Sequence, residues 1–277
     1  MDLNQHIQAL NDVDALQSAV LTQLASAVTK RSFEDCMEKV VLVNLAAEFD
    51  AGKLFQENRH SEEAYETLFS IMRLNLRTMI MLLEALLAKL EYSRKSSATA
   101  PTENDYVPLT AKAQRLIPSI RWYSGWLVSQ ASILNGDTMD ADLASELGRL
   151  YTKTLNLLAP HVPSNGRQVR YLLVEDEKTL GFLPLDNPKC ECARRRYYSD
   201  AAGSIAKPRW YNQDITRRDA TEETQARAHD IIADGLFLQR QRKRTAHLLS
   251  MLDKLRLRTE QSKLRRVAYE RLMRHHR

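Results

Sequence analysis

Glycine and proline are scarce: the 277-residue chain has 8 of each. Average usage would be about 7% and 5%. Both residues punctuate turns, so few turns and long elements are expected. This excludes a β-sandwich or barrel, which needs a turn every ~8–12 residues, and a doubly wound sheet with glycine-bearing βα loops. Cysteine is scarcer still. Cys36 is alone, and Cys190 and Cys192 form a CxC with no second pair and no histidine at ligand spacing. Neither a disulfide framework nor a metal site is expected, and an odd cysteine count fits a reducing compartment. The opening MDLNQHIQALNDVD lacks the basic and apolar regions of a signal peptide. No window reaches ~18 uncharged apolar residues, so no membrane partner is expected. The longest apolar stretch, Met79 to Leu83, is broken by Glu84.

Catalytic signatures are also lacking. The chain has no GxSxG, GxGxxG or GxxxxGK[ST]. His161, His229, His247, His275 and His276 show no ligand spacing. The expectation is a protein without cofactor or metal and without enzymatic activity.

Hydrophobic residues make up 44% and charged residues 27%, enough apolar material for a core. The net charge of +5 is unevenly spread. Arg240–Arg277 holds 13 Lys+Arg and 3 Asp+Glu, leaving 27 basic and 32 acidic residues in the rest. A basic tail on an acidic body suggests an acidic partner such as nucleic acid, or else a solvated face.

Apolar residues recur every three or four positions through most of the chain. Leu3, Ile7, Leu10, Val13, Leu16 or Leu21, Leu24 and Val28 predict a first helix. Ser32 to Asp35 resembles a capping box, opening a helix that buries Met37, Val40, Val41, Asn44, Leu45, Phe49 and Leu54. From Ser61, a stripe from Tyr65 to Leu90 runs about seven turns and needs a partner helix along its length. Residues 93–107 are polar and aperiodic and read as a linker. The next helix has a kink expected at Pro118 and carries Leu116, Ile117, Ile120, Trp122, Tyr123, Trp126 and Leu127 toward the core. Asn135-Gly136-Asp137 ends it, and Thr138 caps a helix with Leu143, Leu147, Leu150, Leu155 and Leu158, closed before Pro160. A further helix begins at Asp219 or Thr221 and runs through Leu238, and a tail helix follows from about Thr245. The fold class is all-α, stacked antiparallel helical hairpins in an α-solenoid-like arrangement.

Residues 160–217 interrupt the pattern with five of the eight prolines and three of the eight glycines. The apolar part, through Leu185, reads as an extended strap across the helices. Glu175-Asp176-Glu177 is open to two readings, a metal or acid–base cluster and an acidic loop that pairs with arginines or caps a helix. No histidine or second carboxylate group accompanies it, which favours the loop. Leu180, Gly181, Phe182, Pro184 and Leu185 read as structural, with the apolar members as anchors. Further on, Arg194, Arg195, Arg196, Tyr197 and Tyr198, then Arg209, Trp210 and Tyr211, have the composition of a single-strand nucleic-acid surface. Guanidinium groups there contact phosphates and rings stack on bases. The competing reading is a solvated loop. Arg242, Lys243 and Arg244 are a further phosphate-contacting or nuclear-localisation strip, or a solvated turn.

The segment Leu173-Val174-Glu175-Asp176-Glu177-Lys178-Thr179-Leu180-Gly181-Phe182-Leu183-Pro184-Leu185 resembles the "(L)PEDxxLRGFxPL" strap of the ever-shorter-telomeres/SMG family. Those proteins are telomerase-associated factors and nonsense-mediated mRNA decay adaptors. Leu116 to Leu127 is similar to the helix that precedes the strap in that family, and Arg227 to Leu238 to the one that follows. Val174 stands where the family carries proline. The resemblance covers roughly Leu3 to Gln239. It implies a helical-hairpin DNA/RNA-binding domain over 1–239, followed by a basic tail, 240–277. The family's 14-3-3-like phosphoserine-reading domain and its nuclease-type domain have no counterpart in the sequence, so no reading of phosphorylated tails is expected. The implied function is a non-enzymatic adaptor or scaffold, with protein partners from mRNA-surveillance or telomerase complexes. The alternative is a module that binds single-stranded RNA or DNA directly. The implied location is the nucleus, the cytoplasm or both.

Overall fold

Long amphipathic runs with few breakers fold here as long helices that bury their stripes against one another. The computed structural model describes residues 15–26, 34–59, 61–96, 109–130, 141–162, 173–179, 182–185 and 220–254. The helices are α1 (15–26), α2 (Glu34–Glu57), α3 (Glu62–Ser96), α4 (Ala111–Ser129), α5 (Ala141–Leu158), a single turn α6 (Val174–Lys178) and α7 (Ala220–Lys254). Short 3-10 turns follow at Ala159–His161 and Leu183–Leu185. The described residues contain no strand, and the fold is an all-α stack of helical hairpins.

α2 and α3 form an antiparallel hairpin, as the cross-links Asn44–Thr78 and Glu48–Asn75 show. The Ser61 hydroxyl accepts from the Ala64 N–H at 3.2 Å and caps α3, whose first turn carries Glu62 and Glu63 at the positive end of the helix dipole. The buried stripe of α2 is Met37, Val41, Leu45, Ala51 and Phe55. Leu54, expected inside, is 47% exposed. Phe55 takes the inward position and packs with Ala64, Leu68 and Met72 in a small cluster at the hairpin tip. α3 is central and touches α2, α4 and α5. It runs to Ser96, four residues into the stretch read as a linker. Arg94 and Lys95 are good helix formers, so polarity alone did not mark the helix end. Residues 97–107 lie outside the described residues.

α4 starts at Thr110, whose hydroxyl accepts from the Ala113 N–H at 3.3 Å. Every residue from Leu116 to Ser124 is buried. That enclosure follows from contacts on several sides: α2 and α3 on one, α7 on another, and the Leu183–Leu185 turn beside them. α5 closes where Pro160 enters the 3-10 turn. α7 is one continuous helix, where two were expected. Gln239 to Arg244 contains no breaker and consists of good helix formers, so a boundary at 239/240 falls inside a helix.

α7 approaches α5 closely at Gly235. A Cβ placed there would overlap Leu155 Cδ1 and lie 3.3 Å from its Cγ. Gly→Ala in a helix gains about 1 kcal/mol in propensity, while forcing an extra carbon into a packed contact costs about 1–3 kcal/mol. Gly235→Ala should therefore lower stability by about 1 kcal/mol net. In a Leu155→Ala background the same change should become neutral or stabilising, because the obstructing side chain is gone. Equal effects in both backgrounds, measured by chemical denaturation, would refute the contact.

Candidate functional site

The strap segment is helical where it is described. Asp176 N–H donates to the Leu173 carbonyl at 3.0 Å, Phe182 N–H to Thr179 at 2.9 Å and Leu185 N–H to Phe182 at 3.0 Å. The Thr179 hydroxyl donates to the Glu175 carbonyl at 2.9 Å. The described backbone meets its hydrogen-bonding need by turning on itself rather than extending, which corrects the expected extended form over these residues.

α6 turns Glu175 and Asp176 inward. Glu175 is 2% exposed and Asp176 5%. Arg121 of α4, 1% exposed, meets them. Its Nη1 and Nη2 donate to the two Asp176 carboxylate oxygens at 2.7 and 3.0 Å, a bidentate pair. Its Nε donates to Asp230 of α7 at 2.7 Å, and its Nη1 lies 3.5 Å from Glu175 Oε1. Arg227 of α7 forms the second fork, donating to Glu175 at 2.6 and 2.9 Å, and its Nη2 also donates to Glu223 at 3.1 Å. Two arginines thereby tie α4, α6 and α7 together.

The electrostatics follow from this geometry. Burial alone would push the Glu175 carboxyl up. The Arg227 hydrogen bond and the charges of Arg121 and Arg227 outweigh it and hold Glu175 below the usual carboxylate range. Burial works against the Arg121 charge too, and Asp176, Asp230 and Glu175 overcome it, so the guanidinium stays protonated. One turn further along α4, the Ser124 hydroxyl lies 3.0 Å from Asp234 and 2.5 Å from the Tyr151 hydroxyl, which donates to the Ile231 carbonyl at 3.1 Å. The outer edge of the strap is pinned to α2 by Lys178, whose ammonium donates to Glu38 at 2.8 Å.

Of the residues singled out from sequence, Glu175 and Asp176 therefore come together in one ion cluster. Phe182 and Leu185 are partly buried against the main core, and Pro184 is half-buried in the 3-10 turn. Leu180 and Gly181 lie outside the described residues. So do Arg194, Arg195, Arg196, Tyr197, Tyr198, Arg209, Trp210 and Tyr211. Arg242, Lys243 and Arg244 lie on α7, with side chains outside the description. Sequence reasoning missed Arg121, Arg227, Asp230 and Glu223. The available signal was Arg121 itself, a charge inside the apolar run from Leu116 to Leu127. Among the described residues no group of three His, Cys, Asp or Glu is placed to hold a metal ion, and no helix is long and apolar enough to cross a membrane.

A family profile described as the Est1 DNA/RNA binding domain matches residues 1–189, more than half of the chain. The chain belongs to this family. No curated protein and no solved structure matches it significantly. The Est1-domain match ends at residue 189, before α7 begins. Yet α7 packs along α4 and supplies Arg227 and Asp230 to the cluster. The folded unit is thus larger than the matched segment.

Removing Arg121 leaves Asp176 without its bidentate partner in the core. Arg121→Met should cost about 3–5 kcal/mol, as breaking a buried pair does. Arg121→Lys should recover only part of this, since an ammonium cannot span both Asp176 oxygens and Asp230. Phe182→Ala, at a half-buried site, should cost about 2 kcal/mol. Denaturant melts of the three variants test the order, and an Arg121→Met variant as stable as wild type would sink the clamp.

The Glu175 contribution also has a defined pH sign. Its folded value is depressed, so the stabilisation is present above the ordinary carboxylate range and lost as pH falls through the folded value. Glu175→Gln should flatten the acid limb of the stability profile. An acid limb unchanged in Glu175→Gln would show that the ion cluster carries none of it.

Proposed function

We propose that this Est1-domain protein is a non-enzymatic scaffold of the telomerase-regulation or nonsense-mediated mRNA decay type, working in the nucleus, the cytoplasm or both. One observation carries the reading: the acidic pair best suited to chemistry, Glu175 and Asp176, is buried and engaged by Arg121 and Arg227. Carboxylates held this way fasten one helix to another; they face no substrate. A stack of packed hairpins gives a surface of fixed shape for protein partners.

The family description, a DNA/RNA binding domain, favours a second reading in which this chain also contacts single-stranded RNA or DNA directly. The groups proposed for that contact are Arg194, Arg195, Arg196, Tyr197, Tyr198, Arg209, Trp210 and Tyr211, with Arg242, Lys243 and Arg244 on α7. Arginines would neutralise phosphates and the rings would stack on bases, worth about 1–3 kcal/mol per base.

Salt dependence separates the two readings. In the direct-binding case, affinity for a single-stranded oligonucleotide falls steeply with salt. Replacing Arg242, Lys243 and Arg244 together with Gln should then lower the log–log slope by about 0.7 for each phosphate no longer neutralised. Fluorescence anisotropy across a salt series checks this. Negligible affinity at low salt, with protein partners that survive nuclease treatment in affinity purification, leaves the scaffold alone. Loss of all partners on nuclease treatment, with strong salt-dependent affinity, leaves the direct binder.

A further inference from the structure

The side of α4 that faces α2 and α3 holds a second buried polar group. The Glu48 carboxyl is 5% exposed. The Trp126 indole N–H donates to its Oε1 at 2.9 Å, and the Asn75 amide donates to its Oε2. The Tyr123 hydroxyl donates to Asn75 Oδ1 at 3.2 Å. The Asn44 amide donates to the Tyr123 hydroxyl at 3.3 Å and to Thr78 Oγ1 at 3.5 Å. Thr78 in turn donates to the Leu74 carbonyl at 2.8 Å.

Every donor to Glu48 is neutral. Asn44 on α2, Asn75 and Thr78 on α3 and Trp126 on α4 carry no charge. The one other titratable group in this network is the Tyr123 phenol on α4, which burial keeps in its neutral form. The Leu183–Leu185 turn, which also packs on α2, contributes no titratable residue. A carboxylate in this place would be a buried charge without a cation, an arrangement that costs several kcal/mol.

The same heavy atoms also accommodate a neutral Glu48. Turning the Asn75 amide over exchanges its oxygen and nitrogen with little displacement. The Glu48 O–H then donates to Asn75 Oδ1, Asn75 Nδ2 donates to the Tyr123 oxygen, and the Tyr123 O–H turns to Thr78. The chain of hydrogen bonds has two directions, and one proton exchanged with water selects between them.

We propose that Glu48 is a proton-operated latch on α2: protonated, it closes the hydrogen-bond chain through Asn75 and Tyr123 and holds α2 to α3 and α4, and on losing its proton it reverses the chain and weakens that hold. Burial pushes Glu48 up to about 7, against the Trp126 and Asn75 hydrogen bonds that pull it down. The effect reaches the strap, because α2 carries the Glu38 contact to Lys178 and packs on the Leu183–Leu185 turn.

The sign is fixed by linkage. The unfolded carboxyl is ionised above about pH 5, while the folded one keeps its proton up to about 7. The hold on α2 is therefore full at low pH, declines as pH rises from about 5 to 7, and levels off above.

Amide exchange on the full chain, corrected for intrinsic rates, reads this directly. The opening constant of α2 should rise by up to about tenfold per pH unit between 5 and 7 and then plateau. Glu48→Gln, neutral at every pH, should give a flat profile. A wild-type profile flat over that range, or one shared by Glu48→Gln, overturns the proposal. Infrared spectroscopy of the wild-type protein decides even if the variant fails to fold. A protonated-carboxyl band that disappears with a midpoint near pH 7 supports the latch, and its absence at pH 6 overturns it.

Discussion

The fold is organised around one charge that cannot be left alone. Arg121 sits in the middle of α4 with almost none of its surface exposed. Burying an ion costs several kcal/mol unless good geometry returns it. The guanidinium fork is answered by Asp176 on one side and Asp230 on the other. Those carboxylates sit on elements that have to stand where Arg121 can reach them. The position of the α6 turn and the alignment of α7 along α4 follow from this requirement more than from apolar packing, which tolerates sliding.

α4 is enclosed by apolar groups, yet each side of it carries a different polar layer. Toward α7 the layer is Arg121 and Ser124. Toward α2 and α3 it is Tyr123 and Trp126, with Glu48 and Asn75 opposite. A purely apolar helix could rotate or shift by a turn at modest cost. These layers penalise such shifts, because each leaves buried donors and acceptors unpaired. The pairs Asn44–Tyr123 and Glu48–Trp126 set α4 parallel to α2, and Arg121–Asp230 with Ser124–Asp234 set it parallel to α7. Direction and register are thus specified by polar side chains on the sides of α4 that face α2, α3 and α7.

This division of labour explains what was legible in the sequence. Helices α3 and α5 were readable because their stripes obey the 3.6-residue period for many turns, from Leu68 to Leu90 and from Leu143 to Leu158. Leu54 was misplaced because Leu54 and Phe55 are adjacent and the period alone does not choose between neighbours. The α7 boundary was misread because a polar turn such as Gln239 to Arg244 carries no apolar period, although helix propensity favours its continuation. The ion cluster was invisible for a different reason. Arg121 and Asp176 are 55 residues apart, and Arg121 and Asp230 are 109 apart. No periodicity links such positions. The motif around Glu175 was noticeable, but only the folded chain supplies its partners.

The same cluster bears on the segment between the strap and α7. Arg227 holds Glu175 of the strap with one edge of its guanidinium and, through Nη2, Glu223 in the first turn of α7 as well. The chain leaves the strap at Leu185 and returns at Ala220, so residues 186–219 depart from and arrive at elements that one arginine ties together. The arginine and aromatic residues from Arg194 to Tyr211 lie wholly within this span. Because Arg227 joins Glu175 of the strap to Glu223 of α7, breaking that clamp would loosen the elements on both sides of this span at once.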